Sequence, residues 1–240
     1  MFYYTATGAG LHNVWVMLGS LKQFAKRIVH RGTQDSWIEK ISHIDFISGL
    51  GDFGWLLYGL CRCMNPEVCV EIGSARGKST CFIARALKEN NKGRLFAVDP
   101  HTRTDWNDTD SVDSYALLRS NLGRLDLDDY VTVLRETSAK AAADWHLPID
   151  LLFIDGDHSY EGVKNDWERF VRFMKPFGIV VFHDTLWELV PPPDGLREDM
   201  GVPRFVDELR QAGYPVFTID HSCGLSLVQP KVGGIPLKAQ

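Results

Sequence analysis

A chain of 240 residues, 45% hydrophobic and 24% charged, has ample core-forming sequence for one α/β domain with additions and does not favour disorder. A formal net charge of −5 without a long basic run argues against a nucleic-acid partner. Cys61, Cys63, Cys69, Cys81 and Cys223 form no zinc-type pair of CxxC units, so a reducing, cytoplasmic compartment is expected.

No basic region precedes an apolar stretch at the start of the sequence, so no signal peptide is expected. The most apolar segment, residues 46–61, is interrupted by Gly49, Gly51, Asp52 and Gly54, which leaves no transmembrane segment. Val14, Met17, Leu18, Leu21, Phe24, Ala25 and Ile28 recur with helical period, and the far side carries Lys22, Lys26, Arg27 and Arg31 with no acid. Such a face suits a membrane surface or, more commonly, packing on its own domain or on a second subunit. Trp37, Ile41 and Ile44 suggest a second helix and residues 54–63 a third, ended by Asn65-Pro66. Residues 1–65 are therefore expected to be an N-terminal helical extension that caps a domain of residues 66–240 or joins copies of the chain into a homo-oligomer.

From Val68 the pattern alternates. Apolar runs ending at Glu71 and Asp99 predict two strands, with a helix over about 77–90 between them. A polar loop with Asp105, Asp108, Asp110 and Asp113 leads to a helix marked by Tyr115, Leu118, Leu122 and Leu125. Strands are expected at 130–134, 150–155 and 179–182. A short helix near 139–144 lies between the first two. A longer one carrying Tyr160, Val163, Trp167, Phe170, Val171 and Met174 is closed by Pro176 and Gly178. This alternation implies a parallel, doubly wound sheet. After Pro191, Pro192 and Pro193, a helix over 203–212 leads to strands 214–219 and 225–228. The loop between these two is so short that they form a hairpin, so one of them runs antiparallel to the rest.

The segment Val68-Cys69-Val70-Glu71-Ile72-Gly73-Ser74-Ala75-Arg76-Gly77-Lys78-Ser79-Thr80 organises the domain. Strand, glycine turn and helix start make a nucleotide-type binding corner, with Gly73 and Gly77 expected to let the backbone approach a ligand. Gly73 to Ser79 is one residue short of a phosphate-binding P-loop, and Glu71 would repel a polyphosphate. Asp99, at the tip of the next strand, stands where a ribose-binding carboxylate belongs. A ribose and a net positive charge suit this corner, and S-adenosylmethionine has both. NAD brings a pyrophosphate that Glu71 disfavours. The same residues also suit a plain strand–helix turn.

Val70-Glu71-Ile72-Gly73-Ser74-Ala75-Arg76-Gly77, Val98-Asp99-Pro100, the run from Phe153 to Gly162 (FIDGDHSYEG) and Phe182-His183-Asp184-Thr185 occur in the order that resembles the class I S-adenosylmethionine-dependent methyltransferases. The nearest group is the small-molecule O-methyltransferases of the macrocin and cephalosporin-biosynthesis type. The resemblance spans about residues 66–228. It implies a Rossmann-like, mostly parallel seven-stranded sheet with a C-terminal antiparallel β-hairpin. It places Glu71, Gly73 and Gly77, with Ser74, Ala75 and Ser79 around them, at the methionine end of the cofactor. Asp99 falls on the ribose, Pro100 and His101 beside the adenosine, and Ser138 at the adenine or, equally, at a helix N-cap.

Ligands gather at the carboxyl ends of strands in such a sheet, so Asp155, His158, His183 and Asp184 should converge there beside the methyl donor. Two ways of activating an acceptor hydroxyl follow. His158 could act as general base, or Asp155, His183 and Asp184 could hold Mg²⁺ or another divalent cation. Relatives place carboxylates at these strand ends, with a histidine three residues after the first, a spacing that Asp155 and His158 reproduce. His183 stands where they more often carry an acid, which disfavours a hard ion. Taken singly, Asp155 could cap a loop and His183 could be a core histidine; Trp187 could belong to a lid or to packing. The expected activity is O-methylation of a small-molecule hydroxyl on a sugar, polyol or phenol. The alternatives are a nucleotide-phosphate enzyme with a degenerate P-loop and a non-catalytic cofactor-binding or scaffold protein.

Overall fold

The computed structural model describes residues 37–102, 113–187 and 200–230. The basic helix expected over 14–28, the acids Asp105, Asp108 and Asp110 and the run Pro191–Pro193 lie outside these residues. The chain divides into two compact units, residues 1–45 and 46–240. In the first, helix α1 (Trp37–Ser42) buries Trp37 and Ile41, and the Ser42 hydroxyl donates to the Glu39 carbonyl at 2.8 Å.

The second unit starts at Phe46 and so includes helix α2 (Phe53–Met64), although α2 precedes the domain start expected at residue 66. It continues through β1 (Val68–Ile72), α3 (Lys78–Asn90), β2 (Arg94–Val98), α4 (Ser114–Leu125), β3 (Val131–Leu134), α5 (Ser138–Ala143) and β4 (Ile149–Ile154). Then come α6 (Tyr160–Phe170), β5 (Met174–His183), α7 (Val202–Gln211), β6 (Val216–Ile219) and β7 (Leu225–Val228). The seven strands form one sheet in the order β3-β2-β1-β4-β5-β7-β6. β1 to β5 pair in parallel, and β7 runs antiparallel to both β5 and β6. This is the expected doubly wound sheet with its terminal hairpin.

The central strands are continuous apolar runs because helices cover both faces. Cys69, Val70 and Ile72 of β1, Leu151 to Ile154 of β4 and Val180 to Phe182 of β5 are all buried. On one face Trp167, Phe170, Phe205 and Leu209 pack over Val180 and Phe182. The Trp167 and Phe182 rings lie 5.8 Å apart, and those of Trp167 and Phe205 6.2 Å apart. Elsewhere in this unit α2 lies against α3. A Cβ on Gly54 would stand 2.4 Å from the Phe82 ring, so the two helices meet where a side chain is missing. Tyr58 donates to Glu89 and Arg62 to Asn90 across the same contact.

One boundary differs from expectation. The apolar spacing through Val171 and Met174 suggested a helix running to Pro176, but α6 stops at Phe170. A 3₁₀ turn (Val171–Phe173) follows, and Met174 already opens β5. Ile149 pairs with Met174 and Leu151 with Ile179, so residues 175–178 bulge out of the ladder. Proline has no N–H to give a ladder, and Phe177 in the bulge has φ +67° and is 83% exposed. Lys175 reaches back to Glu67 (2.9 Å) and Asp150 (3.0 Å), which ties the bulge to the amino ends of β1 and β4.

Sheet order fixes where a ligand can sit. The chain leaves β1 toward β2 and β3 on one side and returns to β4 and β5 on the other, so a crevice opens between the carboxyl ends of β1 and β4. Two anchors shape its rim. Asp155 N donates to Ile72 O at 2.9 Å, and Gly73 N to Val98 O at 3.0 Å.

Candidate active site

A cavity of about 740 Å³ lies at those strand ends, within the range of small-molecule sites. Every residue singled out as a candidate lines it except Glu71 and Gly77.

Those two exceptions correct the expected roles. Gly73 and Gly77 both adopt φ +87°, a region costly for any other residue. What they avoid is the protein itself. A Cβ at Gly73 would stand 2.2 Å from the Asp155 carbonyl oxygen, and one at Gly77 would stand 2.3 Å from the Leu118 side chain. Glu71 is fully buried, and its Oε2 accepts from Thr80 Oγ1 at 2.6 Å while Oε1 has no partner. Burial pushes its carboxyl up to about 8, against the opposing hydroxyls of Ser79 and Thr80. At neutral pH Glu71 is therefore protonated. It is not the negative wall that its place at the strand tip suggested. The acids on the cavity wall are others, Asp99, Asp155 and Asp184 among them.

Asp99 follows β2 directly. One carboxylate oxygen accepts from Ala75 N (2.9 Å), the other from His101 N (2.7 Å), which fixes the side chain with lone pairs to spare. His101 is held by Ser114 and Tyr115. Its Nδ1 lies 3.0 Å from Ser114 Oγ, its ring meets Tyr115 edge-on at 5.3 Å, and Arg135 lies over the Tyr115 ring at 5.0 Å from its centre. Burial lowers the His101 pKa, so the ring is neutral, and its Nε2 is buried without a partner.

Ser138 is not the N-cap of α5. That position belongs to Thr137, whose hydroxyl accepts from Lys140 N at 3.3 Å. Ser138 Oγ instead donates to Asp166, and Arg169 Nη1 approaches Ser138 Oγ at 3.3 Å and Asp166 Oδ1 at 3.4 Å. Burial pushes the Asp166 carboxyl up to about 6, against the pull of Ser138 and Arg169. Asp166 went unnoticed in the sequence, yet a signal existed: an acid between Val163, Trp167 and Phe170, on the stripe of α6 that faces the core. The loop Phe46–Leu50 also lines the cavity and was read only as an interrupted apolar segment.

Asp155, His158, His183 and Asp184 do converge. His158 Nε2 lies 3.3 Å from Asp155 Oδ1 and 3.2 Å from Asp184 Oδ2. His183 Nδ1 lies 3.1 Å from the same Asp155 oxygen and 3.2 Å from Asp184 Oδ1. Each imidazole thus bridges both carboxylates. Asp184 sits at φ +58°, in the left-handed region that costs a residue with a side chain. Burial alone would raise the Asp155 pKa, but His183 and His158 outweigh it and hold the carboxyl below the ordinary range. Burial opposes charge on both imidazoles, but the two carboxylates outweigh it, raising His158 and lifting His183 well above the usual value. The donor atoms of Asp155, His158 and Asp184 all lie within 4.8 Å of one another, a spacing that a metal ion can bridge. This trio contains His158 where the expected one had His183, whose ring meets Phe53 edge-on at 5.8 Å. Trp187 lines the cavity, with its indole N–H buried and unpartnered.

A crevice at the topological switch of a doubly wound sheet, with a carboxylate past β2 and an acid–histidine cluster past β4 and β5, is the place where open α/β sheets bind their ligands. Residues 70–185 match the family of methyltransferase domains. Several curated relatives align with the chain, among them the following two. An uncharacterized protein of Sinorhizobium fredii is 31% identical over 141 residues, 56% of this chain and 14% of its own length. A protein of Arabidopsis thaliana, provisionally assigned as a caffeoyl-CoA O-methyltransferase, is 27% identical over 178 residues, 73% of this chain and 69% of its own length. The chain thus spans a small part of the first relative and about two thirds of the second. Solved structures share the fold. The S-adenosylhomocysteine-bound methyltransferase of Podospora anserina superposes with a TM-score of 0.65 at 13% identity, over 97% of this chain and 100% of that one. The O-methyltransferase of Bacillus cereus, also in complex with S-adenosylhomocysteine, gives 0.60 at 18% identity over 88% and 97%. The match to the methyltransferase-domain family covers just under half of the chain, and the sheet that contains it shares the fold of these solved methyltransferases. Among the described residues no helix is long and apolar enough to cross a membrane.

Proposed function

We propose that the chain is an S-adenosylmethionine-dependent methyltransferase that methylates a hydroxyl oxygen of a small molecule, a sugar, polyol or phenol. The observation that carries this reading is one cavity holding both Asp99 and the Asp155–His158–Asp184 cluster. The first supplies acceptors for a ribose diol; the second supplies a base. The cofactor, when bound, supplies an electrophilic methyl group on a sulfonium. The buried, unpartnered polar atoms Ser74 Oγ and His101 Nε2 on the cavity wall fit a ligand bearing its own donors and acceptors.

The protein's own part is placement and proton removal. Asp99, pinned by Ala75 and His101, offers its remaining lone pairs to the ribose. Asp155 and Asp184 accept from His158 Nε2 and so orient the ring, and the proton of the acceptor hydroxyl goes to the other ring nitrogen, Nδ1, as the oxygen attacks. His183, behind the carboxylates, balances their charge. A divalent cation in this site would be held by Asp155 and Asp184 with an imidazole, a donor set closer to a borderline ion than to Mg²⁺, and would lower the pKa of the acceptor hydroxyl.

Two measurements test this. His158→Ala should lower kcat by about 10²–10⁴-fold while leaving S-adenosylhomocysteine affinity unchanged. Lost cofactor affinity with intact turnover contradicts the base assignment. Turnover that survives exhaustive chelation assigns proton removal to His158 alone; turnover lost on chelation and regained with one ion assigns a share to that metal. With this reading goes a contact between copies through the helices of residues 1–65. A chain lacking residues 1–35 should elute as a monomer if that contact exists, and unchanged if it does not.

A further inference from the structure

We propose that Ile47, in the loop of residues 46–50, sets which acceptor the cavity takes: its side chain seats an apolar face that lies beside the reacting hydroxyl. Three large apolar side chains are exposed among the described residues, Ile47 (62%), Phe177 and Phe217, and of these Ile47 alone lines the cavity. Apolar surface left in water on a cavity wall is surface that a ligand can cover with gain. A second observation is independent of the first. Ile47 has φ +44°, a left-handed conformation that crowds a β-branched side chain. No other β-branched residue among the described ones has a positive φ. Asn65, Asn91 and Asp126 share that region where they end α2, α3 and α4, an ordinary place for it. Ile47 ends no helix, and backbone strain kept on a cavity wall is the mark of a ligand contact. The residues around it hold the strain in place. Phe46 and Leu50 are buried, Leu50 N donates to Ser48 Oγ at 3.3 Å, and Phe53 N donates to Leu50 O at 3.1 Å. A Cβ on Gly49 would meet nothing within 4 Å, so space lies open beside the loop.

The loop belongs to the acceptor end of the cavity. It leads into Phe53, the first residue of α2, whose ring meets His183 edge-on at 5.8 Å. Asp155, His158, His183 and Asp184 give the acceptor hydroxyl polar partners, and the rest of the acceptor must meet other side chains. Ile47 makes part of that remaining surface apolar. The inference rests on the function proposed above and narrows its acceptor. A hydroxyl carried on an apolar body fits, either the ring of a phenol or the alkyl face of a deoxygenated sugar. A polyol hydroxylated on every carbon does not, because its hydroxyls would lose water against Ile47 and gain no partner there.

The test is calorimetric, on the full chain saturated with S-adenosylhomocysteine and on its Ile47→Asn and Ile47→Leu variants. The probes are 2-naphthol, decahydro-2-naphthol, which keeps the hydroxyl and the skeleton without the aromatic rings, and inositol. Asparagine tolerates positive φ and is polar, so Ile47→Asn should keep or raise the melting temperature while weakening 2-naphthol by about tenfold. Ile47→Leu keeps an apolar side chain and should hold 2-naphthol within about threefold of the unaltered chain. Both variants should bind S-adenosylhomocysteine within about twofold of the unaltered chain, as expected of a residue that touches only the acceptor. If decahydro-2-naphthol follows 2-naphthol in its dependence on Ile47, the seat takes an alkyl face; if 2-naphthol alone depends on Ile47, it takes an aromatic ring, and the inference stands either way. It is overturned if 2-naphthol does not bind, binds Ile47→Asn as well as the unaltered chain, or binds less tightly than inositol. It is overturned too if Ile47→Asn weakens S-adenosylhomocysteine as much as 2-naphthol, or lowers the melting temperature, which would make Ile47 a structural residue. In all these cases the cofactor assignment survives. An unaltered chain that binds no S-adenosylhomocysteine overturns the proposed function itself.

Discussion

Single side chains govern the chemistry. His158 is held charged by Asp155 and Asp184, and a charged imidazole accepts no proton. The activity should therefore rise with pH, with an inflection above the ordinary imidazole value of 6.5. Asp184→Asn should move that inflection downward in a kcat/KM–pH profile; an unmoved inflection means another group is the base. Glu71 governs stability instead. In the folded chain it keeps its proton up to about pH 8, and in the unfolded chain up to about the ordinary 4.5. Between these limits the folded state binds more protons, so stability falls as pH rises through that window and is flat on either side of it. Glu71→Gln should remove the slope, seen as melting temperatures that decline less between about pH 5 and pH 9 than those of the parent chain. A parent chain whose melting temperature rises over the same range contradicts the assignment. Neither effect was legible in the sequence. It shows that an acid ends β1, but not whether that acid faces the crevice or the core. The packing of Thr80 over Glu71 decides that.

Elements set these side chains in place. Ser159 caps α6 by accepting from Gly162 N at 3.1 Å, and the residue before it is His158. Ser159→Ala should cost about 1 kcal/mol in a denaturant titration, the usual value of an N-cap. Gly201 N also donates to His158 O at 2.8 Å, so the loop is held from the α7 side. Gly77→Ala should destabilise the chain by about 2 kcal/mol or more, because the residue sits at positive φ and its Cβ meets Leu118. The strands and helices around these points were legible because their periods are clean: Val68 to Ile72 as a buried run, Val163, Trp167 and Phe170 as a stripe. The junction between α6 and β5 was not. Val171 and Met174 continue a helical stripe in sequence, and only pairing of Met174 with Ile149 shows that the strand has begun. Likewise Ser138 resembles a cap from its place after β3, but Thr137 one residue earlier captures the free amide.

At the scale of the whole molecule, strand order does most of the functional work. Alternating βα units with a final hairpin give a sheet whose reversal falls between β1 and β4, and the candidate residues from five separate stretches meet there because each stands at or just past a strand end. That convergence could be foreseen from the pattern alone, since side chains just past parallel strands share one edge. Which of them charge, pair or hide could not, because burial and partner distances come from contacts far apart in sequence, such as His183 against Asp155 at 3.1 Å. The central claim is that this edge receives S-adenosylmethionine and its demethylated product rather than a nucleotide phosphate. Titration of the purified, folded chain with S-adenosylhomocysteine, set beside titration with ATP, tests it most directly. The account predicts saturable one-to-one binding of S-adenosylhomocysteine and none of ATP at matched concentrations. Binding of ATP with no response to S-adenosylhomocysteine would contradict it.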